Sequence, residues 1–146
     1  AGEEIKYKVP NIKFQVPNKS QISNYKTASF WFFMNYQYPL EDRVLEFGKR
    51  IVRLCQALPK NIINTPLINQ IIRSGTAIGA NYCEANETET KKDLRFKVRL
   101  SLKEAKETIY WLKLIIAANP SFAERMKLLL AESQELVKIF SKILTK

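Results

Sequence analysis

From Glu41 onward, apolar residues recur at alternating steps of three and four. Val44, Phe47, Ile51, Leu54 and Leu58 form the first such series. On a helix of 3.6 residues per turn they fall on one stripe. Pro59, with Lys60 and Asn61 behind it, ends that segment. Thr65 then offers an N-cap, with Pro66 at the first helical position, where no amide hydrogen is needed. The second helix is carried by Leu67, Ile68, Ile71, Ile72, Gly75, Ile78, Gly79 and Tyr82. Thr90 and Asp93 have capping-box spacing, with Asp in place of the usual Glu or Gln. A third stripe follows through Leu94, Val98, Leu102, Ala105, Ile109, Leu112 and Ile116, stopping near Asn119 and Pro120. Ser121 and Glu124 repeat the capping-box spacing. The fourth stripe is Phe122, Met126, Leu129, Ser133, Leu136, Phe140 and Ile143.

Helices three and four should each extend roughly 35–40 Å at 1.5 Å per residue. Short connections make sequential helices antiparallel, and stripes near a 3.5-residue period suit the shallow crossing of bundles. The pattern therefore predicts an all-α domain over residues 41–146, an antiparallel up-down-up-down four-helix bundle.

Residues 1–40 have a different texture and read as an extended, aromatic-rich N-terminal arm. Ile5-Lys6-Tyr7-Lys8-Val9-Pro10-Asn11 is followed at once by Ile12-Lys13-Phe14-Gln15-Val16-Pro17-Asn18. Each copy alternates apolar and polar positions and closes on a Pro-Asn turn signal. Two copies are too few for a solenoid. Beyond them lie Tyr25, Phe30, Trp31, Phe32, Phe33, Tyr36 and Tyr38. Such aromatics either stack on bases or pack against the domain or a neighbouring subunit. Met34 offers another natural start, which would make residues 1–33 an upstream extension.

In the second helix, Gly75, Gly79 and Cys83 stand at i, i+4 and i+8 and so share a face, flanked by Thr76 and Ala80. A glycine inside a helix costs about 1 kcal/mol relative to alanine. Two on one face imply close packing in compensation. The bundle interior, with Trp111 or Tyr110 opposite, is one setting. An interface between subunits is the other, and a ligand groove is a weaker third.

Charge and chemistry narrow the functions. The chain of 146 residues holds 24 Lys and Arg against 14 Asp and Glu, a net charge of +10. A single domain so basic attracts polyanions, with nucleic acid ahead of acidic protein or anionic membrane. No apolar run reaches the ~20 residues of a membrane span. Histidine is absent, which removes Ser-His and Cys-His nucleophile pairs, His-containing metal sites and the di-iron motif of helical bundles. Only carboxylate-only metal sites stay open, and no cofactor is expected. The two cysteines, Cys55 and Cys83, lack CxxC spacing and read as buried small apolar residues rather than a disulfide, in a reducing, cytoplasmic setting.

The stretch RSGTAIGANYCEAN (residues 73–86), with KKDLRFKVRLSLKEAKETIYWLKLI (residues 91–115), resembles the four-helix bundle protein family. Its founding members are encoded by intervening sequences inside bacterial 23S ribosomal RNA genes. The matching elements are Arg73-Ser74-Gly75-Thr76, Ile78-Gly79-Ala80-Asn81-Tyr82, Glu84-Ala85, Lys103-Glu104-Ala105, Glu107-Thr108 and Tyr110-Trp111-Leu112. The resemblance spans roughly residues 41–146. Cys83, residues 86–88 and Leu94 are individual to this chain, and the arm has no counterpart. The resemblance implies small cytoplasmic bundles, often homopentameric, with no catalytic residues assigned. A related branch is the accessory variability protein of diversity-generating retroelements, a basic pentamer that associates with a reverse transcriptase and nucleic acid. Asn81 and Glu84 are expected to make hydrogen bonds between helices.

Binding is expected on the third helix. Arg95, Arg99, Lys103, Lys106, Tyr110 and Lys113 recur at steps of four and three, on a different face from the buried leucines. Between Lys91 and Lys106 stand seven basic residues and two acidic ones, a surplus of half the chain's net charge. Lys49, Arg50 and Arg53 of the first helix could extend the patch. The first expectation is a non-enzymatic, oligomeric accessory factor that binds RNA or single-stranded DNA. The second is a scaffolding bundle whose charge meets an acidic protein.

Overall fold

The computed structural model describes residues 39–146. The repeats and aromatic cluster of the arm lie outside the described residues, apart from its last two positions.

The first helix, α1, runs Leu40–Ala57, with Glu41 and Asp42 in its first turn. Carboxylates there oppose the positive end of the helix dipole. Val44, Phe47, Ile51, Leu54 and Leu58 are all buried, as the stripe predicts. Leu58 turns extended immediately before Pro59, as the ring of a following proline requires. Lys60 then folds back, its Nζ donating to the carbonyls of Cys55 and Leu58 at the helix end.

Helix α2 runs Asn64–Asn86, beginning a residue before the predicted Thr65 cap. Asn61 supplies the reason. Its Oδ1 accepts from the amides of Ile63 at 3.0 Å and Asn64 at 2.8 Å, and its carbonyl accepts from the Thr65 amide. The Asn side chain three residues upstream thus satisfies the first free N–H groups.

Helix α3 runs Lys91–Ala118 and opens on the predicted box: the Asp93 amide donates to Thr90 Oγ1 at 3.0 Å, and that hydroxyl donates to Asp93 Oδ2. At 28 residues it spans about 42 Å. The Ser121–Glu124 box does not form. A short 3-10 helix at Pro120–Phe122 carries the turn instead, and α4 runs Ala123–Leu144 with no side-chain cap. The Phe122 amide donates to the Asn119 carbonyl at 2.9 Å.

The described residues thus form a four-helix bundle, with α2 against α1 and α3, and α3 against α4. The antiparallel sense follows from paired levels. Ile51 faces Gly75 while Val44 faces Gly79, and Ser74 bonds Thr108 while Ile78 bonds Ser101. The two sides of α1 differ. Toward α2, glycines let the backbones come close. Toward α4 the approach is wider, and the seam holds Arg43 and Glu132, two buried long charged side chains joined by bonds of 2.6 and 2.9 Å.

A polar ladder runs along the α2–α3 seam. At one end Asn64 and Asn119 exchange amide hydrogen bonds of 2.8 and 2.9 Å while buried. In the middle Thr108 Oγ1 meets Ser74 Oγ at 3.0 Å, and Ser101 Oγ donates to the Ile78 carbonyl. No buried side-chain nitrogen or oxygen is left unpartnered among the described residues, so the ladder costs little desolvation.

Candidate nucleic-acid interface

The core face of α3 is defined by Val98, Ser101, Ala105, Thr108, Leu112 and Ile115, all buried. At 100° per residue, Arg95, Arg99, Lys103, Lys106, Tyr110 and Lys113 fall on the opposite side, within one narrow arc. Arg99, Lys103, Lys106, Tyr110 and Lys113 are exposed and Arg95 is half-buried. Two neighbours join them that the sequence reading left out. Lys92 and Phe96 are also exposed, and they extend the same alternation of steps: 92, 96, 99, 103, 106, 110, 113. That 4-3 rhythm was the available signal, but a Phe beside Leu94 invites assignment to a core.

The acidic side chains nearest to this seam are engaged elsewhere. Arg73 of α2 reaches across to Glu104 at 3.2 Å and also bonds Glu107. Lys97 pairs with Glu84. By contrast, none of Lys92, Arg95, Arg99, Lys103, Lys106 and Lys113 forms an ion pair among the described residues. Of the three carboxylates that α3 carries, Glu104 and Glu107 are neutralised by Arg73 on its inner and α2-facing sides, and Asp93 closes the cap at its start, so the outer seam keeps its positive charge.

Tyr110 is braced. Its ring meets Trp111 edge-on, with centroids 5.0 Å apart and planes at 72°. The Trp111 indole N–H donates to Glu107 at 3.3 Å, and Glu107 is itself held by Arg73.

Two of the three cations proposed on α1 are engaged on the side of Glu46 and Glu132. Arg53 pairs with Glu46 of its own helix at 3.1 Å. Arg50 is half-buried, and desolvation lowers its pKa against the attraction of Glu132 and Glu46. Lys49 is exposed.

Gly75 and Gly79 meet α1 of the same chain. A Cβ on Gly75 would come 2.9 Å from Ile51 Cγ1, and one on Gly79 would come 3.4 Å from Val44 Cγ2. Their partners are thus Ile51 and Val44 rather than Trp111 or Tyr110. Cys83, on the same stripe, is exposed, contrary to the expectation that both thiols are buried. Local desolvation of its sulfur and the nearby Glu41 carboxylate hold the thiol above its ordinary pKa, which makes it a poor nucleophile at neutral pH. Buried Cys55 is pushed up likewise by desolvation, against the pull of Lys60. Glu84 bridges helices as expected. Asn81 does not: its Nδ2 donates to the Ala77 carbonyl one turn back on α2.

No group of three or more Cys, Asp or Glu side chains among the described residues is placed to hold a metal ion. No helix among them is long and apolar enough to cross a membrane.

These features define a class: a helical bundle with a hydrogen-bonded α2–α3 seam and an uncompensated cationic ridge. Residues 41–142 match the family model described as 23S rRNA-intervening sequence protein, and the chain belongs to that family. A similar solved structure is a protein of unknown function of the S23 ribosomal protein family from Bacteroides thetaiotaomicron. It shares 35% identity with a TM-score of 0.65, over 74% of this chain and 100% of that one. No curated protein matches.

Proposed function

We propose that this chain is a non-enzymatic, cytoplasmic accessory protein that binds RNA or single-stranded DNA through the outer face of α3. The observation that carries the reading is electrostatic. Arg95, Arg99, Lys103, Lys106 and Lys113 stand on one ridge without carboxylate partners among the described residues. Ordinary solvated helix faces interleave signs, and this one does not. Such a ridge contacts phosphates, tolerates many sequences and releases counterions on binding.

The family's description as a 23S rRNA-intervening sequence protein fits a life beside RNA. The sequence resemblance to the accessory variability protein of diversity-generating retroelements suggests a reverse transcriptase as a protein partner. Self-association, pentameric by the family resemblance, multiplies the ridge. It is supported by Leu45 and Val52, exposed apolar residues that share a face of α1, and light scattering should give a mass above the monomer's 17.0 kDa.

The test is charge reversal. Arg95→Glu, Arg99→Glu and Lys103→Glu together should abolish binding of a labelled RNA or single-stranded DNA at low salt, read by fluorescence anisotropy. Unchanged binding overturns the assignment. An acidic protein retained after nuclease treatment in a pull-down would favour the scaffolding reading instead.

A further inference from the structure

The ridge is not uniformly cationic. Phe96 is 55% exposed and Tyr110 57% exposed, and they sit in register with Lys92, Arg99, Lys103, Lys106 and Lys113 at steps of four and three. Burying large aromatic surface is favourable, and neither ring is buried within the described bundle. They are two heptads apart, about 21 Å along the axis at 1.5 Å per residue.

Tyr110 is backed by the series Trp111, Glu107 and Arg73. Phe96 lies one turn from Lys92 on one side and from Arg99 on the other. Each ring therefore has a cation within one helical turn on either side.

We propose that this seam is a track for unpaired nucleic acid, in which Phe96 and Tyr110 stack on bases while the flanking cations hold phosphates. The proposal rests on the polyanion reading above and narrows its ligand. A duplex keeps its base faces stacked inside and turns hydrated phosphates outward, so both rings would meet the wrong chemistry. A single strand turns its bases to either side and offers a π-face at each nucleotide. Aromatic stacking beside a positive groove is how sequence-tolerant single-strand binding is built. Charge complementarity selects this occupant over an apolar helix, because five of the seven seam positions are Lys or Arg and none is acidic.

The experiment uses the full chain, fluorescein-labelled polypyrimidine single strands of DNA and RNA, and a duplex of matched phosphate number. Phe96→Leu with Tyr110→Leu keeps apolar bulk and helix propensity while removing the π-faces. The wild-type chain should prefer the single strand. The leucine pair should lose about tenfold or more in single-strand affinity, leaving duplex affinity and molecular mass unchanged. Phe96→Tyr should retain the preference.

If the leucine pair binds the single strand as tightly as wild type, while the triple charge reversal binds nothing, stacking is overturned and the phosphate ridge stands. Equal loss on single strand and duplex with a fall in mass overturns it too, since the rings would then serve assembly. A wild-type chain that binds neither probe at low salt refutes the ridge and the track together.

Discussion

Three helical glycines differ only in what surrounds them, and their substitution should separate the effects. Gly48 has nothing within 4 Å of an added Cβ, so Gly48→Ala should stabilise the fold by about 0.5–1 kcal/mol through helix propensity and unfolded-state entropy. At Gly79 the contact of 3.4 Å with Val44 is ordinary, and alanine should be neutral or mildly stabilising. Gly75 is different: its Cβ would strike Ile51 at 2.9 and 3.0 Å on two branches of a fully buried side chain. Overpacking of this kind costs roughly 1–3 kcal/mol, enough to outweigh the propensity gain. Gly75→Ala should therefore destabilise in urea denaturation, and the order Gly48, Gly79, Gly75 should run from gain to loss. A stabilising Gly75→Ala would refute the close α1–α2 approach. Close packing on this stripe was legible from the i, i+4 spacing alone, but its partner was not, because spacing says which face is small and nothing about what lies opposite.

Between elements, the α1–α4 seam rests on Arg43 and Glu132. Their side chains are only 6% and 7% exposed and make two hydrogen bonds. Removing Glu132 takes away the carboxylate that accepts two hydrogen bonds from the buried Arg43 guanidinium, so Glu132→Ala should cost about 3–5 kcal/mol. Replacing both by apolar residues, Arg43→Met with Glu132→Leu, should cost markedly less, as a double-mutant cycle by chemical denaturation would show. Equal additive losses would mean that the pair is not coupled. Neither residue was visible as core in the sequence, because a periodicity of hydrocarbon passes over buried charge. The same blindness shifted α3: its core face runs through Ser101, Glu104 and Thr108, polar residues whose burial depends on partners across the α2–α3 seam. Where the core is hydrocarbon, as in α1 and most of α4, the stripes read correctly. Helix starts were mixed for a local reason. Thr90 and Asp93 lie within one turn of each other and form their box, whereas Asn61 captured the start of α2 from outside the predicted cap.

At the scale of the molecule, the charge of +10 is not spread evenly. Arg73 and Lys97 are spent on Glu104, Glu107 and Glu84, Arg43 bonds Glu132, and half-buried Arg50 is attracted by Glu132 and Glu46. The surplus collects along the outside of α3, where a polyanion meets several cations in one line. The ridge was readable from the sequence because i, i+4 and i+7 positions share a face whatever the tertiary fold. Its lack of counter-charges required the structure. The most direct measurement is the salt dependence of single-strand binding to the full chain. With about six cations engaged at roughly 0.7 counterion per phosphate, log K should fall against log salt with a slope near −4. A slope near zero would contradict a phosphate-binding ridge.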